Sequence, residues 1–165
     1  MGDRGDLIVV GVDVSAGAVA ALDFALTEGW KRACPVEVVT AWLGGRADGA
    51  PAADDLTDGR QRVLRVQNEV VARCLEQRSE VPDLVRIVVH DYAGRVLVSR
   101  AESAAMLVVG SGSPNSGSSQ VLGSVAEYTV RHASVPVVIV PTPDRIERRA
   151  AAQSRSTPSR STQSH

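Results

Sequence analysis

Residues 7–33 read LIVVGVDVSAGAVAALDFALTEGWKRA, and this stretch decides the fold class. Leu7 to Val12 is a short continuous apolar run, the pattern of a strand buried on both faces. The run breaks at Gly11-Val12-Asp13, and Ser15 is placed to cap a following helix. From Ala16 to Ala33, Val19, Leu22, Leu26 and Trp30 recur at helical spacing and predict one apolar face. Strand, turn and helix in that order open a βαβ unit.

The same alternation continues along the chain. Val36 to Trp42, launched by Pro35, predicts a second strand, and the Gly, Ala and Asp-rich segment Leu43 to Asp58 predicts a long mobile loop. A second helix is expected from about Arg60 to Gln77, with Val63, Leu64, Val70, Val71, Cys74 and Leu75 on one side. Beyond Pro82 follow a strand over Leu84 to Val89, a short helix over Gly94 to Ser103 and a strand over Met106 to Val109. A helix over Leu122 to His132 then leads to a fifth strand, Val137 to Val140, bounded by Pro136 and Pro141. Short apolar strands alternating with helices predict an α/β domain: a Rossmann-like open five-stranded parallel sheet with helices on both faces.

Residues 1–142 form the predicted domain. Residues 143–165 change character, with five arginines against Asp144 and Glu147 and almost no large apolar residue, so a disordered Ser/Thr/Arg-rich tail is expected there. A solvated extension, weak electrostatic tethering and Ser/Thr phosphorylation are its alternative readings.

Composition narrows the function classes. A formal net charge of −1 carries no field that would draw the molecule to nucleic acid or to anionic membrane, and no apolar run approaches a membrane span. The N-terminal MGDRGDLIVV lacks the basic start of a signal peptide, and a cytoplasmic protein is expected. Cys34 and Cys74 stand in neither metal-ligand nor redox spacing, and two buried thiols are expected. Lys31 is the only lysine, between Trp30 and Arg32 in a helical stretch, which excludes a Walker A phosphate loop. A phospho-receiver domain shares the architecture but needs a lysine after the fifth strand, where this chain has Val140-Pro141.

In open α/β sheets, ligands bind beyond the carboxyl ends of the strands where strand order reverses. Those ends carry Asp13, Ala41 and Trp42, Asp91, and the small-residue stretch GSGSPNSGSSQVLGSV from Gly110 to Val125. Backbone amides of such a loop and the positive end of the next helix suit an anion, and glycines let a phosphate approach without a Cβ in the way. Gly110, Gly112 and Gly123 are the candidate positions. The same stretch also has a purely structural reading, because Ser124 and Glu127 fit a capping box.

Gly110, Ser113 and Gly123-Ser124 match the spacing of a family pattern: Gly, two residues, Gly, nine residues, Gly, then Ser or Thr. With IVVGVDVS at Ile8 to Ser15, VVTAW at the second strand and HASVPVVIV at the close, the chain resembles the universal stress protein family from Leu7 to Pro141. The resemblance implies strand order 3-2-1-4-5 and a site for ATP or another adenine nucleotide, with magnesium. It implies that Val12 and Asp13 stand at the ribose or at a nucleotide-bound metal, and that Ala41 meets adenine through its backbone. Gly110, Ser111 and Gly112 would line sugar and phosphates, and Gly123, Ser124 and Val125 would complete the phosphate site. Two departures are Val14 after the Asp and Ser113 at a family glycine, where a Cβ would obstruct the phosphate. Asp13 as a helix cap and Ala41 as a core residue are the packing alternatives.

Three functions stay open on these residues. One is a nucleotide-binding stress-response module, the second a stress protein acting without nucleotide through dimerisation and protein partners, and the third a slow ATPase in the same site. A homodimer through the fifth strand is expected, since Val137 to Val140 is an apolar edge without charge or bulge.

Overall fold

The computed structural model describes residues 7–43, 53–112 and 122–142, together with Glu147. Five strands, β1 (Ile8–Gly11), β2 (Val36–Trp42), β3 (Leu84–His90), β4 (Met106–Gly110) and β5 (Val137–Val140), form one parallel sheet in the order β3-β2-β1-β4-β5. Four helices, α1 (Ala16–Arg32), α2 (Ala53–Leu75), α3 (Ala93–Ala101) and α4 (Ser124–His132), connect them. The chain builds outward from β1 to β2 and β3, then returns past β1 to lay down β4 and β5. Strand order therefore reverses between β1 and β4.

Alternation along the central strands divides the interior into two layers. Ile8, Val10, Val36, Val38, Met106 and Val108 point to one face and pack under α1 and α2 with Leu22, Leu26, Val71 and Cys74. Val9, Val39, Leu107 and Val109 point to the other and pack under α3 and α4 with Val96, Leu97 and Ala126. Both expected thiols, Cys34 and Cys74, are buried. Each fully buried Val or Leu removes enough apolar surface from water to stabilise the fold by about 1.5–3 kcal/mol.

The buried face of α1 differs in detail from its spacing pattern. Leu22 and Leu26 are fully buried beside Ala18, Ala21 and Ala25, whereas Trp30 is half exposed. Alanines let the helix lie close on β1 and β4, and the bulky Trp30 is left at the rim. Ser15 caps α1 as expected, its Oγ accepting from the Ala18 amide at 3.3 Å. The helix ends on Ala33 in the left-handed region, φ 53°, where the Cys34 amide closes onto the Gly29 carbonyl at 2.9 Å.

Helix α2 begins at Ala53, so the expected loop of Leu43 to Asp58 is helical over its last residues; residues 44–52 lie outside the described set. An Ala- and Asp-rich segment is a good first turn for a helix, since acidic side chains favour the positive end. The α2 interior also carries a polar core residue, Gln67, fully buried. The two hydrogens of its Nε2 are shared among the Val38 carbonyl at 3.1 Å, the Thr40 hydroxyl oxygen at 3.1 Å and the Ile87 carbonyl at 3.0 Å, tying α2 to β2 and β3. Among the described residues, no helix is long and apolar enough to cross a membrane. The expected tail, residues 143–165, lies outside the described residues apart from Glu147.

Candidate functional site

A cleft of about 320 Å³ opens beyond the carboxyl ends of β1 and β4, at the reversal of strand order. Its size lies within the roughly 300–1,000 Å³ of small-molecule sites. Val12, Asp13, Ala41, Gly110, Gly112, Gly123, Ser124 and Val125 line it. The fold thus brings eight of the nine candidate residues to one place. Ser111 is the exception. It is buried, its amide donates to the Val140 carbonyl at 2.9 Å and its carbonyl accepts from the Gly123 amide at 3.1 Å. Ser111 therefore ties the cleft's base to β5 instead of lining it.

The glycines have packing reasons that spacing alone does not reveal. A Cβ on Gly110 would stand 2.9 Å from the Gly17 carbonyl group, so its absence lets the first turn of α1 cross β4. Gly112 has φ +100°, and a Cβ there would stand 2.7 Å from the Gly123 Cα. Gly112 and Gly123 thus close the base of the segment between them. Ser113, the departure from the family pattern, lies outside the described residues.

The two main helix ends at the cleft are satisfied differently. At α1, the Ser15 amide donates to Asp13 Oδ1 at 2.8 Å and the Ala18 amide donates to Ser15 Oγ, so the positive end is occupied by the chain's own side chains. Ser15 is thus the cap, Asp13 closes the turn just before it, and only one carboxylate oxygen is held by this bond. At α4, Gly123 is the N-cap, and among the described residues no side chain caps the helix. The Ser124–Glu127 capping box does not form: Ser124 is already helical, the Glu127 amide donates to the Gly123 carbonyl at 2.9 Å, and the Glu127 carboxylate pairs with Arg131 at 2.7 Å. The first-turn amides of Ser124, Val125 and Ala126 precede the first intrahelical bond, and all three residues line the cleft. An uncapped helix start facing a cleft is suited to an anion.

The other wall is apolar. Val39 and Ala41 from β2, Ala93 and Leu97 from α3 and Val109 from β4 line it, a surface that suits a flat aromatic ring. Of these only Ala41 was legible from sequence. Gly11, Ser15, Ala18, Val39, Ala93, Leu97, Val109 and Ala126 are additional lining residues. Ala93 and Leu97 carry the one signal that could have found them, an i, i+4 pair on the first turns of α3. Trp42, at the end of β2, turns away from this wall, packing its ring on Gly59 of α2 and on His90 with centroids 4.7 Å apart.

Among the described residues, Asp13 is the only charged one lining the cleft. No group of three or more His, Cys, Asp or Glu side chains that could hold a metal occurs among the described residues. A divalent cation would fit here only as a passenger of a phosphate ligand, with one Asp13 oxygen beside phosphate oxygens and waters.

A family model, the universal stress protein family, matches residues 6–141, the domain and its cleft together. The chain belongs to the universal stress protein family. A universal stress protein of Mycobacterium tuberculosis is 30% identical over 132 residues, covering 80% of this chain and 44% of the relative. The chain thus spans less than half the length of the curated relatives it matches. Among solved universal stress proteins, one in complex with cAMP superposes with a TM-score of 0.65 at 23% identity, covering 84% of this chain and 98% of the other. Another, from Archaeoglobus fulgidus in complex with dAMP, gives 0.57 at 24% identity, covering 81% and 95%. These likenesses show the shared α/β fold.

Proposed function

We propose that this universal stress protein holds an adenine nucleotide in the cleft between β1 and β4, with phosphate at the start of α4 and the base against the apolar wall. One observation carries the reading: among the described residues α4 is left uncapped by side chains where its first three residues line the cleft. The amides at a helix start take water, a side chain or a ligand as partner, and a phosphate is the ligand that best fits three amides pointing into a cleft. The cAMP and dAMP held by structural neighbours support the same ligand class.

Val12 and Asp13 would stand at the ribose, Ala41 at adenine, Gly110 and Gly112 along the sugar and phosphates, and Gly123, Ser124 and Val125 around the terminal phosphate bound. ATP with magnesium is one form of this ligand, and the Asp13 oxygen left free by Ser15 would face the metal. Bound nucleotide would join β1, α3 and α4, the elements around the cleft, and so act as a signal read on the protein surface. Slow ATP hydrolysis is the lesser reading, since among the described lining residues only the Asp13 side chain could act as a base. The protein would work in the cytoplasm as a homodimer paired through β5, with neither nucleic acid nor membrane as a partner.

The test is mass spectrometry of small molecules released on denaturing the purified protein. Adenine nucleotide at a substantial fraction of the protein concentration supports the proposal. Its absence, together with no thermal shift in millimolar ATP and magnesium, favours a stress protein that acts through dimerisation and protein partners alone.

A further inference from the structure

The charge inventory of the cleft is unusual for a phosphate site. Neither Lys nor Arg occurs among the described residues that line it, and the sequence from Gly110 to Val125 holds neither. Arg95, on the first turn of α3, does not line the cleft and stands 3.9 Å from Asp91. Positive potential comes instead from helix ends. Helix α3 starts at Tyr92, whose amide donates to Asp91 Oδ1 at 2.7 Å, so a carboxylate stands at this end too, whereas among the described residues no side chain accepts at the start of α4. Each such end is worth about half a positive charge. The end of α1 is offset by Asp13, which accepts the Ser15 amide there. Only the α4 end, worth about half a positive charge, then stands without a carboxylate beside it, so the described lining has little positive charge to set against a bare polyphosphate.

Building on the nucleotide reading, we propose that Asp13 makes this cleft select its ligand by phosphate charge. An adenine phosphodiester with a single negative charge binds without metal, held by directed amide hydrogen bonds. A triphosphate enters only when a divalent cation offsets its charge beside Asp13. The carboxylate is thus a specificity determinant: it repels bare polyphosphate and admits either a weakly charged ligand or a metal-bound one.

The experiment is calorimetric titration of the full chain with cyclic AMP and with ATP, each in magnesium and in EDTA, for the native protein and for Asp13→Asn. Asparagine keeps the Oδ1 acceptor for the Ser15 amide, and an unchanged melting curve verifies that the turn persists. In the native protein, replacing magnesium by EDTA weakens ATP by about tenfold or more and leaves cyclic AMP within about twofold. In Asp13→Asn, ATP in EDTA binds about fivefold tighter than to the native chain, and the advantage of magnesium shrinks accordingly. ATP binding equally well in EDTA and magnesium, or an Asp13→Asn variant with the same metal dependence, overturns charge selection while leaving the nucleotide reading intact. Binding of neither ligand under any condition overturns both.

Discussion

Gly112 and Gly123 meet face to face: a Cβ built on Gly112 would stand 2.7 Å from the Gly123 Cα, and one on Gly123 would stand 2.9 Å from the Gly112 Cα. The contact is fixed by the Gly123 amide donating to the Ser111 carbonyl at 3.1 Å, and Gly112 reaches it only at φ +100°. Gly112→Ala therefore combines a steric clash with backbone strain and is expected to cost about 1–3 kcal/mol. Denaturant melts check this. A variant as stable as the native chain would show that the clasp gives way freely.

Legibility in the sequence followed the range of the interactions. The apolar runs of β1 and β4 and the helical spacing of α1 are local patterns, and they place the sheet and the cleft correctly. The start of α2 was hidden because Ala and Asp serve a helix's first turn as well as a loop. Gly110 reads from spacing as a ligand glycine, yet its neighbour is Gly17, far away in sequence, and no local pattern signals that crossing. Ser124 and Glu127 have capping-box spacing, but Glu127 pairs with Arg131 and the helix begins one residue earlier than a Ser124 cap requires. Gly123→Asp reads from sequence as a clean way to repel phosphate; in the structure it also presses on Gly112, so loss of binding in that variant does not by itself locate the phosphate.

Glu37 and Arg100 form a two-pronged pair, Nε to Oε1 at 2.6 Å and Nη2 to Oε2 at 2.5 Å, joining β2 to α3 with the carboxylate nearly buried. Arg100→Met leaves that carboxylate without its partner and is expected to cost about 2 kcal/mol, the exposed arginine end tempering the loss. Adding Glu37→Gln should recover part of it. Urea melts of the two single variants and the double variant measure the coupling, and strictly additive losses would mean that the pair contributes nothing of its own.

Burial pushes the Cys74 thiol above its ordinary value near 9.0, and Asp23 adds to the shift while Arg78 and Arg73 oppose it. A thiol with a raised folded pKa contributes stability that is fully present below the unfolded value and is lost as pH rises through the folded one. The melting temperature of the native chain should thus fall more steeply above about pH 9 than that of Cys74→Ala. Parallel curves for the two proteins contradict the assignment.

The open side of β5 offers a test of the proposed dimer. The Leu107 amide donates to the Pro136 carbonyl and the Ser111 amide to the Val140 carbonyl, so even-numbered residues of this strand face β4 and Val137 and Ile139 present their backbone groups outward. Val138 is half-buried and packs against the core layer under α1, so Val138→Lys would disturb the core as well as any pairing. Ile139→Pro instead removes an outward donor at an edge where proline is tolerated. Light scattering is expected to report a dimer for the native chain and a folded monomer for Ile139→Pro. A native monomer at high micromolar concentration contradicts pairing through β5.

The central claim is that the uncapped start of α4 receives the phosphate of an adenine nucleotide, and amide chemical-shift mapping tests it most directly. On titrating AMP into nitrogen-15-labelled protein, the account predicts saturable shifts at Ser124, Val125 and Ala126, with smaller ones at Ala41 and Leu97 along the apolar wall and none at Glu37 or Arg100. Shifts confined to other residues, or none at millimolar AMP, would contradict it.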